Sequence, residues 1–281
     1  MAEPEGALAL VAGTGALPRL IAEDRRRRGL PLLVVRFEGT SAPWADGMDV
    51  LDLPFEKPGR LFKAMREKRV TQICFAGAMT RPKLDPLRLD LKGVALIAKA
   101  LTLLRKGDDG MLRGFASIFE DEGFRMVGAH ELLQDLLAPE GVLGAVQPSD
   151  LDREDAARAA AVVAALGAVD VGQAAVVASG VCLGVEAVAG TDALLAEVAR
   201  VPARLRVGEA RGTLLKAPKP GQDWRLDLPA IGPDTVARAA EAGLAGIAVS
   251  AGGVLILGLE ETVAAADAAG LFLWGRAPDP Q

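Results

Sequence analysis

The opening stretch of the chain constrains its fold more than any other feature. Ala7 to Ala12 (ALALVA) reads as a buried strand, Gly13-Thr14-Gly15-Ala16-Leu17-Pro18 as a tight turn, and the residues through Arg28 as a helix. Strand, Gly-rich turn and helix form the first half of a βαβ unit, whose helix N-terminus can receive a phosphate. The full dinucleotide fingerprint is absent. Pro18 stands at the third glycine's place, and the next strand, Leu32 to Phe37, lacks a clear ribose-binding acid after it. Gly13, Gly15 and Ala16 therefore read either as a plain turn or as a phosphate cradle, with NAD disfavoured.

The rhythm continues with a strand near Met48 to Leu53, a helix near Gly59 to Lys68 and a strand at Gln72 to Ala76. It predicts a Rossmann-like domain with a largely parallel sheet, and ligands at the carboxyl ends of its strands. Gly77 to Pro82, with Arg81, lies at such an end. Helices are expected over Leu87–Leu104 and Asp108–Gly123, then a strand at Phe124–Val127 and a helix at Glu131–Leu137. Between the first two helices, Asp108 and Asp109, with Arg113, read as helix capping with i,i+4 pairing or as a cation- or substrate-binding turn. Arg25 to Arg28 read as a solvated helix end or as a contact for anionic headgroups.

Ala138–Ser149, rich in Pro and Gly, is expected to link residues 1–137 to a second domain over 150–281. That domain is predicted to be α+β with hairpins. Ser149 caps a helix ending near Leu166. Ala174–Val177 and Val181–Val185 flank Ser179-Gly180 as one hairpin. Ile247–Val249 and Val254–Leu257 flank Ala251-Gly252-Gly253 as a second, so that helix, hairpin and helix recur. Thr191 or Asp192 reads as a helix cap, whereas Glu186, ending an apolar strand, needs solvent or a partner.

Lys216 to Thr235 (KAPKPGQDWRLDLPAIGPDT) is the strongest site candidate. Its prolines exclude a helix. In an extended run Asp223, Arg225 and Asp227 share one face, and Trp224, Leu226 and Leu228 the other. The two Asp would then lie about 13 Å apart, too far to ligate one ion unless the segment bends. The alternative is an edge strand with a solvated charged face.

Composition narrows the chemistry. Hydrophobic residues make up 51% of 281 residues and the net charge is −5, which argues against a general nucleic-acid binder. With one His, no Tyr and two Cys, a Ser-His-Asp triad or multi-histidine zinc site is improbable. Asp, Glu, Lys and Arg are left, with an oxygen-loving cation such as Mg²⁺. Cys74 and Cys182 read as buried small hydrophobes. The acidic start and the broken apolar run Val171–Val185 lead to the expectation of a soluble, cytoplasmic protein.

The segments LVAGTGALP, GDDGMLR, GVEAVAGTDALL and KAPKPGQDWRLDLPAIGPDT, in this order, resemble the LpxI-type UDP-2,3-diacylglucosamine pyrophosphatases of Gram-negative lipid A synthesis. The likeness spans nearly the whole chain; Gly110-Met111 departs from an expected Ala-Leu pair. It implies Mg²⁺-assisted hydrolysis of UDP-2,3-diacylglucosamine to 2,3-diacylglucosamine 1-phosphate (lipid X) and UMP, with water attacking the β-phosphorus. It also implies an N-terminal domain for the UDP end and a C-terminal domain for the lipid. On that reading Asp223 and Asp227 are metal-ligand and general-base candidates, and Lys216, Lys219 and Arg225 neutralise phosphate. Gln222 orients phosphate or water. Gly13, Gly15 and Ala16 meet the UDP end; Asp108, Asp109, Arg113, Glu186, Thr191, Asp192, Gly232 and Thr235 are further substrate contacts. Peripheral contact with the inner membrane and a homodimer are both open. A non-catalytic nucleotide-sugar or lipid carrier, or a Rossmann-type oxidoreductase, would be the alternatives.

Overall fold

A computed structural model describes residues 6–79, 83–103, 108–206 and 211–277, with the backbone alone for Asp108, Asp109 and Ala203. Arg81, and the side chains of Asp108 and Asp109, lie outside the described residues. The chain divides into two compact units, Met1–Leu133 with Asp223–Asp227, and Gln134–Gln222 with Leu228–Gln281.

The first unit comprises β1 (Ala7–Ala12), α1 (Leu17–Arg27), β2 (Leu32–Phe37), β3 (Val50–Leu53), α2 (Pro58–Glu67), β4 (Val70–Ala76), α3 (Leu91–Leu103), α4 (Asp108–Asp121), β5 (Arg125–Met126) and α5 (Ala129–Leu132). Its sheet runs β3-β2-β1-β4-β5, with every pairing parallel. The unbroken apolar run of β1 suits a central strand covered on both faces. The strand order reverses between β1 and β4, the place where open α/β sheets leave a ligand crevice.

At that point two loops interlock. Gly13 N–H donates to Ala76 O (2.7 Å), Thr14 N–H to Ala78 O (2.8 Å), and Ala78 N–H returns to Thr14 O (3.1 Å). A Cβ on Gly13 would sit 2.5 Å from Ala78 O, and one on Gly77 2.3 Å from Thr14 O. Gly13 is thus needed for close backbone approach. Its N–H and that of Thr14 are already used by protein.

The arginine run corrects one expectation. Arg25 is 1% exposed, not solvated, and donates to Gly6 O and Pro31 O. Arg27 and Arg28 share Asp24 instead.

The second unit comprises β6 (Gly141–Val142), α6 (Asp150–Gly167), β7 (Ala174–Ala178), β8 (Val181–Val185), α7 (Gly190–Ala199), β9 (Thr213–Lys216), β10 (Ala230–Ile231), α8 (Pro233–Glu241), β11 (Gly246–Ser250), β12 (Leu255–Ile256), α9 (Leu259–Ala268) and β13 (Phe272–Arg276). Its main sheet runs β6-β13-β11-β9-β7-β8. β9, β11 and β13 are parallel, while β6, β7 and β8 pair antiparallel. Alternation divides the core. Val176, Leu214, Ile247 and Val249 face α7, α8 and α9, whereas Ala175, Val177, Leu215 and Ala248 face α6. Within the stretch expected as a linker, β6 joins the sheet edge and Ala138 N–H bonds Val254 O.

Ser149 caps α6 as expected, paired reciprocally with Asp152. The first hairpin also forms. Ser179 (φ 48°) and Gly180 (φ 76°) make its turn, and the buried Asp155 accepts both of their N–H groups. The second expected hairpin does not form. Both edges of β11 are occupied by β9 and β13, so β12 pairs in parallel with β10 in a separate sheet. The apparent repeat of helix, hairpin and helix fails for the same reason.

Both cysteines are free, but only Cys74 is buried; Cys182 is exposed, against expectation. Burial pushes the Cys74 thiol up to about 12, with the nearby Glu131 charge adding to the shift. A thiol reagent at neutral pH should therefore modify Cys182 rapidly and Cys74 only after denaturation. Rapid modification of both in the folded protein would contradict this.

Candidate functional site

The Lys216–Thr235 segment does not run as a strand between Lys219 and Leu228. Leu226 N–H and Asp227 N–H both turn back to Asp223 O, at 3.0 and 3.4 Å. This is a single tight turn, so the separation derived for an extended comb does not apply. Leu226 is the apolar anchor, packed into the first unit's core with Val11, Ile73 and Phe119. Trp224, expected on the anchoring face, is 41% exposed, with His130 edge-on to its ring.

Asp223 and Arg225 lock together. Arg225 donates to Asp223 from its backbone N (3.1 Å), Nε (2.9 Å) and Nη2 (2.6 Å), using both carboxylate oxygens. Its Nη1 donates to Glu120 Oε1 at 2.9 Å. Such a fork fixes the guanidinium plane and still leaves donor capacity among its five N–H groups. The hydrogen bond from the Arg225 side chain holds the Asp223 carboxyl below the usual carboxylate range, against partial burial; the charge of Arg113 adds to this. Asp223 is thus ionised at neutral pH and weakly basic. The pairing in turn raises Arg225 further above its already high value. Asp227 is exposed.

In the second unit the remaining cations are held just as firmly. Lys216, at the end of β9 and only 9% exposed, donates from Nζ to Thr191 Oγ1 (2.7 Å) and Ala230 O (3.1 Å). Thr191 Oγ1 donates onward to Glu186 Oε2 at 2.9 Å. Glu186 therefore has the partner its position demanded. This changes the reading of Thr191. It is not a cap, because α7 starts at Gly190 without a side-chain cap. Asp192 pairs with Arg238 at 3.2 Å and does not cap the helix either. Lys219, also 9% exposed, bonds Asp170, and its N–H donates to Gln222 Oε1 at 2.9 Å. Gly232 and Thr235 start α8, with Gly232 N–H reaching Thr235 Oγ1 at 3.4 Å.

The candidates separate into clusters, each within one unit: Asp223 and Arg225 with Glu120 beside the Arg113 charge in the first, and in the second Lys216 with Thr191 and Glu186, Lys219 with Asp170 and Gln222, and Asp192 with Arg238. Glu120 and Asp170 were missed in the sequence, since each meets its cation across a long stretch of chain. The one available sign was Asp170's position just past an Ala/Val-rich helix, where its φ of 58° suits Asp better than most residues.

A Mg²⁺ ion is usually held by one or two carboxylates, with substrate phosphates and water completing its shell. Asp223 has both oxygens committed to Arg225. Among the described residues no group of three or more His, Cys, Asp or Glu could hold a metal. Asp223, which keeps lone pairs beyond those that accept from Arg225, and the exposed Asp227 are the carboxylates that would hold the ion, with phosphate oxygens and water.

Comparison with known proteins matches nearly the whole chain to the two models of one family. The model described as LpxI N-terminal domain matches residues 7–136, and that described as LpxI C-terminal domain matches residues 139–274. The chain belongs to the LpxI family. A relative from Caulobacter vibrioides, named UDP-2,3-diacylglucosamine pyrophosphatase LpxI, is 42% identical over 276 residues, covering 98% of each chain. Among solved structures, a Thermus thermophilus UDP-glucose 4-epimerase with NAD shares 18% identity at a TM-score of 0.27, covering 51% of this chain and 41% of its own. That likeness is too slight to bear on fold or function. Lys216–Thr235 lies within the region that the C-terminal model matches.

Proposed function

We propose that this LpxI-family hydrolase cleaves the pyrophosphate bond of UDP-2,3-diacylglucosamine, giving 2,3-diacylglucosamine 1-phosphate and UMP in the course of lipid A synthesis. One observation carries the reading. Lys216, Lys219 and Arg225 of the Lys216–Thr235 segment are each fixed against acceptors, and Lys216 and Lys219 are buried. A buried ammonium carries a desolvation cost that its fixed acceptors must offset. Preorganised cations are what charge development on a cleaving pyrophosphate requires.

In this reading Arg225, oriented by Asp223 and Glu120, and Lys216 and Lys219 neutralise phosphate oxygens. Gln222, fixed through its Oε1, orients a phosphate oxygen or the attacking water. Asp223, weakly basic, is a positioning residue for Arg225, and the exposed Asp227 is the candidate base for the water. Gly15 and Ala16, at the uncapped start of α1, meet the UDP end. Mg²⁺ would supply further phosphate neutralisation when bound. Dependence on it is part of the proposal.

Purified protein incubated with UDP-2,3-diacylglucosamine, with Mg²⁺ and then with a chelator, tests this by mass spectrometry of the products. Metal-dependent formation of both products is expected. Tight binding with cleavage no faster than background would favour a nucleotide-sugar or lipid carrier instead.

A further inference from the structure

Lys216, Ala174 and Glu186 form a row across the second unit's main sheet. Lys216 ends β9 opposite Ala174 of β7, and Glu186 follows β8 on the other side of Ala174, its N–H bonding Ala174 O at 2.8 Å. Residues directly opposite one another on paired strands share a face, so all of the row points to one side. That side is the one covered by α7, since Ala174 packs with Leu194 and Val198. Neighbouring strands are about 4.8 Å apart, so two backbones with β7 between them lie about 10 Å from each other. Ala174, fully buried and carrying only a methyl group, leaves room between the two longer side chains. Thr191, in the first turn of α7, bridges them.

Chemistry sets the direction of each bond in the row. An ammonium only donates and a carboxylate only accepts, whereas a hydroxyl has one hydrogen and two lone pairs. Thr191 Oγ1 accepts from Lys216 Nζ at 2.7 Å and donates to Glu186 Oε2 at 2.9 Å. Glu186 thus takes the single hydrogen of Thr191 and turns a lone pair of the hydroxyl towards Lys216. Without the carboxylate the hydroxyl is free to rotate, and a rotamer aiming its hydrogen at Nζ loses the bond. Ala230 O, on β10, accepts from the same Nζ at 3.1 Å. The head of a flexible four-carbon stem is therefore held from both α7 and β10.

We infer that Glu186 and Thr191 are positioning residues for Lys216: Glu186 orients the Thr191 hydroxyl, and the hydroxyl sets the place of the ammonium. The inference rests on the proposed role of Lys216 in neutralising phosphate. It moves both residues from direct contact with substrate, the role expected of them, to support of a cation.

Thr191→Val, which exchanges the hydroxyl for a methyl group at nearly constant size, is the central variant. It should lower kcat on UDP-2,3-diacylglucosamine by about 10- to 100-fold, the scale of losing an outer-shell partner, with KM little changed. Thr191→Ser keeps the hydroxyl and should recover most of that loss. Glu186→Gln, which keeps an acceptor oxygen but removes the charge, should fall between the two and gives a second reading if Thr191→Val misfolds. Added to Lys216→Met, Thr191→Val should cost nothing further, because groups acting as a unit are not additive.

A readout independent of turnover runs beside these rates. In protein labelled with ¹⁵N-lysine, the Lys216 ammonium resonance is identified by its absence from Lys216→Met. It should be sharp and slow to exchange in the wild type and in Thr191→Ser, and broadened in Thr191→Val. Its absence from the wild type, or an unchanged signal in Thr191→Val, overturns the inference. So does an unchanged kcat in Thr191→Val where Lys216→Met is impaired, or an equal loss in the Ser and Val variants. A raised KM with kcat preserved overturns it in favour of a direct substrate contact. A lower unfolding temperature with kcat per folded molecule preserved overturns it in favour of a purely stabilising network. If Lys216→Met cleaves as fast as the wild type, the phosphate role of Lys216 fails, and with it the purpose of the row. A resonance that depends on Thr191, in a protein that cleaves nothing, would support the hold on Lys216 and sink the proposed function.

Discussion

Asp223→Ala is expected to lower kcat by about 10²- to 10³-fold, the scale seen when a preorganised charge-stabilising group is lost. The turn itself should persist, because Leu226 N–H and Asp227 N–H bond to the Asp223 backbone carbonyl, which the substitution keeps. What is lost is the carboxylate that receives Arg225 through Nε and Nη2. Glu120 alone would then hold the guanidinium by one Nη, which fixes neither its plane nor its reach. If Asp223 acts through Arg225, the loss should fall mainly in kcat, with unfolding temperature nearly unchanged, and Arg225→Ala should add little to it. A purely structural role predicts the reverse: a lower unfolding temperature with kcat per folded molecule preserved. Asp227→Ala, tested beside it, separates the two carboxylates. A base contributes about 10²- to 10⁴-fold, and its loss should flatten the acid limb of the pH–rate profile.

Gly13→Ala is expected to destabilise the first unit by about 2–3 kcal/mol, the cost typical of overpacking. The added methyl would meet Ala78 O at 2.5 Å and Gly77 O at 2.6 Å, both backbone atoms that cannot swing aside. The interlock it would open joins β1 to the end of β4, so the loss should appear as a lower unfolding temperature. Gly15→Ala is the control. Gly15 has open space around its missing Cβ and differs only in its φ of 95°, so the strain should cost about 1 kcal/mol. A larger stability loss at Gly15 than at Gly13 would show that the interlock is not what the first glycine serves.

The fold was legible where one physical rule acted alone. β1 and β2 were readable to the residue because β1 is an unbroken apolar run between turn formers and β2 is interrupted only by Arg36, as suits buried parallel strands. The helices of the first unit followed from their periodicity, with shifts at the ends. The second unit was less transparent. Ala251-Gly252-Gly253 has the composition of a hairpin turn, yet which neighbours are already paired decides whether two strands can meet. That depends on β13, the closing strand, which was not anticipated. Trp224 was misplaced because strand alternation was applied to a segment that bends.

The candidate site divides similarly. Lys216, Lys219, Arg225 and Asp223 stood out as candidates through their density among prolines. What each one touches could not. Arg225 and Glu120 stand 105 residues apart, and no local spacing encodes such a pair. Thr191 shows a subtler limit. Its sequence position fits the rule for helix caps, but tertiary contacts claimed its hydroxyl for Lys216 and Glu186 first.

The most direct test of the central claim is hydrolysis of UDP-2,3-diacylglucosamine in ¹⁸O-labelled water, with each product analysed for label. The account predicts one labelled oxygen in the phosphate of 2,3-diacylglucosamine 1-phosphate and none in UMP, as water attack on the β-phosphorus requires. Label in UMP would keep the activity but contradict the direction of attack; absence of both products would contradict the function itself.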